Sequence, residues 1–515
     1  MLCAWRYFVI NKTEGDPLEI RKLFENDSHR PGYHYLPPDG QLQDIDGTLY
    51  WRGAYHMTYL THPIFPGGPA YWAHASTKDL IHWQDHPFAI SPEPGSYDEY
   101  GIWSGGAIDA NGVATIAYTG KTNPETYETH PDIKTEVQCI ATSTDDDLIH
   151  WTKNPGNPVI TEPPKNLDVT AFRDPCLWRE NDGWGMLIGS GIRGLGGSVL
   201  LYKSSNMEEW QFIGEMFSDN SGSTGWAWEV PDFFQIGNKW ILLVSPILRE
   251  VDNGSIYYIG EYDGRKFKPE RSGILDSGWL YRAPETFWAP DGRRLTFAWL
   301  FEGRSWEARV RAGWTGTTSI PRELSLHNDN SLRITPISEL QSLRGNHCKI
   351  RKILLDTDSQ VWHSTINSPQ VEIYVEINRG NANSIKLNIL CSPDNAEITS
   401  VIYNWSTAQL SLDTTNSSTN NSDDLLKEIQ VAGIGSARSL AAALTEPPFS
   451  LGNGESLRLH VFVDRSIVEV FANERSCLTS RVYPTRSDSI GVSMQAIGGS
   501  AMIESLDVWN LKSIW

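Results

Sequence analysis

The chain has 515 residues, of which 40% are hydrophobic, and its formal net charge is −20 at pH 7. This length predicts about two or three domains, each able to bury a core of ordinary size. So acidic a chain repels polyanionic nucleic acids, and no run of the sequence approaches the ~18 apolar residues of a membrane-spanning helix. Nucleic acids and membranes are therefore not expected as partners.

The first ten residues, MLCAWRYFVI, are apolar but lack the basic head and the small-residue cleavage site of a signal peptide. They predict a buried first strand and a cytoplasmic protein; the alternative is a secreted protein whose leader has been removed. The six cysteines are scattered without the spacing of a zinc site or of a disulfide scaffold, which indicates buried free thiols.

Short aromatic or β-branched segments, bounded by Gly, Pro, Asp or Asn, dominate the first 330 residues and predict strands. One pattern recurs at intervals of about 60 residues: STKDLIHW, STDDDLIHW, SSNMEEW and EYDGRKF, which end at Trp83, Trp151, Trp210 and Phe267. Each copy reads as a strand, a polar turn and an aromatic residue that begins the next strand. A repeat of this length is typical of β-propeller blades with long loops, so the pattern predicts four to six blades.

Three acids occupy similar aromatic-rich settings: Asp44 in QLQDIDGTLYW, Asp174 in AFRDPCLW and Glu229 in GWAWEVPDFF. Each acid alone has a structural explanation, such as a turn bond or a surface ion pair. In a propeller, however, the innermost strands converge on one funnel, so these acids can meet there. Two carboxyl groups across a glycosidic bond are what glycoside hydrolysis requires.

The neighbours of the acids predict their protonation states. Burial against Trp226 and Trp228 is expected to keep Glu229 protonated. Asp44 is expected to accept backbone N–H groups and stay ionised, and Arg173 to hold Asp174 charged.

The sequence pattern changes after the helix-like segment ISELQSLRG. From there on, apolar and polar residues alternate with period two in segments such as QVEIYVEI and LRLHVFVDRSIVEVFA. This alternation predicts a β-sandwich whose strands are buried on one face. The expected domains are a propeller at residues 1–336, a linker at 337–350 and a sandwich at 351–515.

Eight segments in order resemble glycoside hydrolase family 32, the β-fructofuranosidases: QDIDGTLYWRGAYHMTYL, YWAHASTKDLIHW, IWSGGA, FRDPCLW, WEVPDFF, YRAPETFWAPDGRR, GWTGTTSIPREL and FVDRSIVEVFAN. The resemblance implies an all-β fold, a five-bladed propeller followed by a sandwich. It implies Asp44 as nucleophile, Asp174 as transition-state stabiliser and Glu229 as general acid/base. It also places the fructosyl unit against these residues: Gln43, Trp72, Trp103, Ser104, Arg173, Trp299 and Trp314.

The implied reaction is retaining hydrolysis of sucrose and related β-fructosides, without a metal or another cofactor. The chain departs from the family's usual MNDPNG motif, because it has Gln43 before the nucleophile and Ile45-Asp46 after it. These departures and the phrase HYLPPDGQLQD, which is similar to fungal fructosyltransferases, predict transfer of the fructosyl group to sugar acceptors.

Three alternatives remain at this point. The first is an inulinase, a levanase or a levan fructotransferase of the same family. The second is an inverting propeller glycosidase of the arabinanase type, which generally lacks the WSGS-like and FVDRS-like segments. The third is a catalytically inactive carbohydrate-binding propeller, and the retained acids speak against it.

Overall fold

A computed structural model describes residues 16–62, 68–122, 136–247, 254–278, 280–356, 361–419 and 449–515, with short strands at 429–430, 437–438 and 444–445. The strand predicted at residues 1–10 lies outside these ranges. The described part is almost entirely β, which confirms the all-β prediction. Its helices are Pro17–Lys22, Trp306–Ala312 and the 3-10 helix Ser338–Leu343. None of the described helices has the length and apolar character that crossing a bilayer demands.

Five antiparallel sheets follow one another along the first 336 residues, with their strands hydrogen-bonded in chain order. Sheet 1 comprises Ile45–Trp51, Ala54–Thr61, Tyr71–Thr77 and Trp83–Ile90. Sheet 2 comprises Ile102–Asp109, Ala114–Lys121, Glu136–Ser143 and Thr152–Lys153. Sheet 3 comprises Val169–Glu180, Gly183–Ile192, Gly196–Ser204 and Gln211–Ser218.

Sheet 4 comprises Ala227–Ile236, Lys239–Ile247, Ile256–Tyr262 and Phe267–Ile274. Sheet 5 comprises Tyr281–Trp288, Arg294–Leu300, Arg322–Leu326 and Leu332–Pro336, and Thr317–Thr318 pairs with its second strand. A separate parallel pair joins Gly40–Gln41 to Trp314–Thr315. The first strands of neighbouring sheets contact each other from sheet 1 to sheet 5, and that of sheet 5 contacts that of sheet 1.

The recurring sequence pattern forms a turn between two strands, as predicted, and these are the third and fourth strands of sheets 1 to 4. In sheets 2 and 3, Trp151 and Trp210 donate their indole N–H to the carbonyls of Leu148 and Met207. These two carbonyl residues are buried and have φ of 51° and 63°. The polar residue of the pattern, such as Asp145, accepts the backbone N–H groups that the turn leaves unpaired.

All but two of the remaining described strands form two six-stranded sheets. Sheet 6 comprises Arg344–Leu355, Ala501–Leu511, Gln370–Asn378, Leu457–Asp464, Ile467–Ala472 and Ser476–Arg481. Sheet 7 comprises Trp362–His363, Gly491–Ile497, Ser384–Cys391, Ile398–Asn404, Gln409–Asn416 and Leu444–Thr445. One apolar cluster, with members such as Ile373 and Leu387, is drawn from both sheets. Ile429–Gln430 and Ala437–Arg438 form a separate two-stranded antiparallel pair.

The segment predicted as a linker, 337–350, is more regular than expected. Its first part is the 3-10 helix, and residues 344–350 already belong to the first strand of sheet 6. Four of the described cysteines are buried free thiols, as predicted, whereas Cys348 is partly exposed.

Candidate active site

The first strand of every N-terminal sheet carries a bulge at the same position relative to its second strand. The register shifts begin at Asp46, Trp103, Arg173, Glu229 and Arg282 in sheets 1 to 5. A bulge bends the strand and redirects a side chain, often next to an active site. Asp174, Val230 and Ala283 in these bulges have φ of 60°, 44° and 48°, which non-glycine residues rarely adopt. The repeated bulge therefore explains how five strands can present functional side chains to one place.

Asp44 precedes the first strand of sheet 1 and is half-buried. Its Oδ2 accepts a hydrogen bond of 2.9 Å from the hydroxyl of Ser104, which lies in sheet 2. Burial, followed by the charge of Glu229, raises the pKa of Asp44 to about 6, against the opposing effects of the Ser104 bond, Arg282 and Arg173. Among the described residues, the donor to this carboxylate is the Ser104 hydroxyl and not the expected backbone N–H groups. With a pKa of about 6, Asp44 is still mostly ionised at pH 7, as predicted.

Glu229, in sheet 4, lies between two buried guanidinium groups. The Nε atom of Arg173 donates to its Oε1 at 3.2 Å, and Nη2 of Arg282 lies 3.5 Å from its Oε2. Trp228, which was expected to shield Glu229, is fully buried and donates its indole N–H to the carbonyl of Thr224. Two guanidinium groups therefore contact this carboxylate, while the indole N–H of Trp228 is bonded to another residue. Its protonation in the free enzyme stays a prediction.

Asp174, in sheet 3, is buried, and its Oδ2 accepts the backbone N–H of Val230 at 3.0 Å. Burial and then the charge of Glu229 raise the pKa of Asp174 well above its usual range. Arg173 lowers the pKa of Asp174, as expected, but burial and Glu229 raise it more, so the prediction that Arg173 holds Asp174 charged is wrong. Arg173 also donates from Nη1 to Glu136 at 2.8 Å and from Nε to Glu229.

The residues predicted to hold the fructosyl unit divide into two groups. Ser104 and Arg173 contact the carboxylates, and half-buried Trp103 has Lys121 Nζ 4.8 Å and Arg173 Cζ 5.7 Å from its ring centroid. Gln43 is half-buried and donates its backbone N–H to the carbonyl of Leu60.

The predicted tryptophan wall is largely enclosed. Trp72 and Trp314 are 0% and 1% exposed, so neither ring offers a face to a sugar. Trp72 donates its indole N–H to the carbonyl of Trp103, and Trp314 donates to Asp27. Trp299 is half-buried and packs edge-on against Phe301. Trp72 therefore contacts the backbone of Trp103, and its own ring is not available to a sugar.

Sequence reasoning missed Arg282, Glu136 and Thr119 as members of the site. Thr119 accepts the backbone N–H of Asp174 at 2.9 Å through its hydroxyl, and Glu136 accepts from Arg173. Arg282 stands at the fifth bulge, in the segment YRAPETF. An alignment of the first strands of the five sheets at their bulges would have identified Arg282 as a site residue.

The arrangement brings acids from sheets 1, 3 and 4 within electrostatic reach of one another, beside two guanidinium groups. Each of Asp44 and Asp174 has a pKa that responds to Glu229. Such a group of carboxyls can supply a nucleophile and a proton donor to one glycosidic bond. Within the described ranges, no group of three or more His, Cys, Asp or Glu side chains is suited to hold a metal ion.

The descriptions "Glycosyl hydrolases family 32 N-terminal domain" and "Glycosyl hydrolases family 32 C terminal" match residues 34–336 and 339–510. A sucrose-6-phosphate hydrolase of Zymomonas mobilis is 33% identical over 512 residues, covering 94% of this chain and 92% of its own length. A levanase of Bacillus subtilis is 31% identical, covering 96% of this chain and 72% of its own. Among solved structures, the β-fructofuranosidase of Bombyx mori is similar, with 26% identity, a TM-score of 0.73, and coverage of 100% of this chain and 99% of the other. The two domain descriptions match nearly the whole chain, and the relatives are similar along most of their length. Together with the carboxyl cluster, these matches show that the chain is a glycoside hydrolase that belongs to family 32.

Proposed function

We propose that the chain is a retaining β-fructofuranosidase that acts on sucrose and related β-fructosides. One observation carries the proposal: the charge of Glu229 raises the pKa of Asp44, although the two acids come from different sheets. Asp44 is bonded to Ser104 of sheet 2, and Glu229 is contacted by Arg173 of sheet 3 and Arg282 of sheet 5. The same proposal assigns the five N-terminal sheets to a five-bladed propeller and sheets 6 and 7 to a sandwich. The cyclic contacts of the five first strands support this assignment.

In the proposed first step, Asp44 attacks the anomeric carbon of the fructosyl unit. Ser104 occupies Oδ2, which leaves Oδ1 for the new bond. The bond from the anomeric carbon to the leaving oxygen breaks, and Glu229 gives that oxygen its proton. Asp174 is the transition-state stabiliser, and its contact with the Val230 N–H fixes its orientation.

In the second step, water or a sugar hydroxyl attacks the same carbon. Glu229 accepts the proton of the attacking group, and the ester bond to Asp44 breaks. Arg173 and Arg282 contact Glu229, so the guanidinium groups offset the negative charge that it carries between giving up its proton in the first step and accepting one in the second. A sugar hydroxyl as attacking group gives transfer, which the departures around Asp44 predict.

Two candidate substrates differ in the group that is released from the fructosyl unit. Relatives named sucrose-6-phosphate hydrolase point to a phosphorylated disaccharide, and the relative named levanase points to a fructan. Lys121 over the Trp103 ring places a cation near the proposed pocket. The ratio of kcat/KM for sucrose, sucrose 6-phosphate and levan therefore decides the preferred substrate. Residence in the cytoplasm stays a prediction.

The decisive experiment incubates the protein and its Asp44→Asn and Glu229→Gln variants with concentrated sucrose. Each variant is expected to lose about four orders of magnitude in kcat, because each removes an indispensable covalent or proton-transfer group. Exposed Glu209→Gln serves as the matched carboxyl control. Methanol added as acceptor must give the methyl β-fructoside if configuration is retained. Formation of the α-fructoside, or full activity of both variants, would refute the mechanism.

Product analysis of the same reaction tests transfer. Transfer releases more free glucose than free fructose, and the difference appears as fructooligosaccharides. Equal release of the two sugars at high sucrose concentration would count against transfer and leave hydrolysis intact.

A further inference from the structure

Asp46, two residues after Asp44, is a buried carboxyl group that the proposed mechanism does not use. Its side chain is 0% exposed. Its Oδ1 accepts the backbone N–H of Gly105 at 3.2 Å, and its Oδ2 has no hydrogen-bond partner among the described residues. An ionised carboxylate with one open oxygen is costly in such a place, because it lacks the donors that water would supply.

The charged groups that act most strongly on Asp46 are themselves carboxyls: Asp44 before the same strand, Glu285 in sheet 5 and Asp174 in sheet 3. Sheet 2 contributes an uncharged donor, the Gly105 N–H, and the second strand of sheet 1 contributes Thr58, whose hydroxyl donates to the Asp46 carbonyl at 2.7 Å. Burial and the charges of Asp44 and Glu285 raise the pKa of Asp46 well above its usual range.

Glu285 cannot move away to reduce the repulsion between these carboxyl groups, because hydrogen bonding and burial hold its side chain in place. Its Oε2 accepts the backbone N–H of Thr48 at 2.9 Å, and it is also buried. Like charges this close cannot all ionise, so some of these acids must keep their protons. Among these four acids of the described chain, only Asp46 has a fully buried oxygen without a hydrogen-bond donor, which is where a proton fits without displacing a donor.

We propose that Asp46 is a positioning residue, held as a neutral carboxylic acid so that the adjacent nucleophile Asp44 can carry the negative charge. The proposal rests on the proposed function of Asp44. The proton resides on Oδ2, and Oδ1 keeps its bond from Gly105. If Asp46 were ionised instead, its charge would disfavour ionisation of Asp44 and weaken the attack on the anomeric carbon.

The first test measures thermal stability against pH, which needs no activity. An acid whose pKa is higher in the folded than in the unfolded state makes folding less favourable as pH rises from the unfolded value to the folded one. The difference in Tm between Asp46→Asn, which imitates the neutral acid, and the parent should therefore grow from pH 4 to pH 8. A difference that stays constant over this range means that Asp46 is ionised in the folded protein, and it overturns the proposal.

The second test compares the acid limb of kcat/KM against pH in the same proteins. A neutral Asp46 predicts that the limb of Asp46→Asn lies within about half a unit of the parent's, because no charge has been removed beside Asp44. A displacement by about one unit or more to lower pH would show that the parent carries a charge there, and the proposal fails.

Asp46→Ala separates positioning from simple occupancy. It removes the acceptor of the Gly105 N–H, so kcat should fall about tenfold below that of Asp46→Asn, with KM changed less. Equal kcat for the two variants would show that Asp46 positions nothing. If Asp46→Ala does not fold, the two preceding measurements still decide. A parent without β-fructosidase activity would refute the proposed function, while the Tm measurement would still report the proton on Asp46.

Discussion

The five N-terminal sheets bury charged groups where their first strands meet, whereas sheets 6 and 7 enclose an apolar cluster between them. Glu229, Arg173 and Glu136 form a chain of buried charges that spans three sheets. In the C-terminal pair, Ile373 and Leu387 are both 0% exposed within one aliphatic cluster. Apolar burial stabilises a fold without direction, but buried charges stabilise it only when each is paired. We infer that the N-terminal sheets carry the catalytic groups and that the C-terminal sheets contribute mainly to the stability of the fold.

Of the substitutions that test this comparison, Arg173→Lys is expected to change activity the most. Lysine keeps the charge but cannot contact Glu136 and Glu229 at once, since it lacks the planar guanidinium fork. We expect kcat/KM to fall about 10²- to 10³-fold, as for loss of one preorganised donor, with a small change in Tm. The control is Arg179→Lys, an exposed position on the same strand. Activity of Arg173→Lys within a few-fold of the parent would contradict the assigned role.

Leu387→Ala tests the other side of the comparison. Removing a fully buried leucine side chain from the cluster between sheets 6 and 7 should cost about 2–5 kcal/mol in the free energy of unfolding. Urea unfolding measures this, and kcat of the remaining folded protein should be unchanged. Lys386→Ala, the adjacent half-buried position, is the control. A large loss of kcat without loss of stability would show that the C-terminal sheets take part in the chemistry.

The smallest effect is a pH dependence. The ionised form of Asp44 is the nucleophile and its pKa is about 6, so kcat/KM should rise with pH through 6 and be about tenfold lower at pH 5 than at its plateau. Ser104→Ala removes a donor that favours the ionised form, so it should move this limb to higher pH. Leu387→Ala should leave the limb in place. A shift to lower pH in Ser104→Ala would contradict the assignment.

The segment FVDRSIVEV shows how the two regions are joined. Asp464 accepts the backbone N–H groups of Gly32, Tyr33 and His34, and Glu469 contacts His34 and Arg322. A sequence segment that marks the C-terminal sheets therefore supplies acids that bind the N-terminal region. Period-two alternation predicted its strands but gave no indication of these partners.

Much of the local structure could be predicted from the sequence. The polar residue and the aromatic that follows it predicted the turns at Trp83 and Trp151, because both the side-chain bond and the turn lie within a few residues. The three acids were likewise found from their aromatic settings. The pKa of Asp44 could not be predicted in this way, because it depends on the charge of Glu229 and on Ser104, which lies 60 residues away from Asp44.

The sequence by itself determined the strands, the turns between them and the identity of the acidic residues, since hydrophobic period and turn chemistry act over short distances. Only the tertiary structure decided which groups face each acid. It brought Arg173 to Glu229 and Glu136, enclosed Trp72 and Trp314, and gave one oxygen of Asp46 no hydrogen-bond partner among the described residues. The physical reason is that the charge of a buried carboxyl is set by its desolvation and by neighbours that other sheets supply.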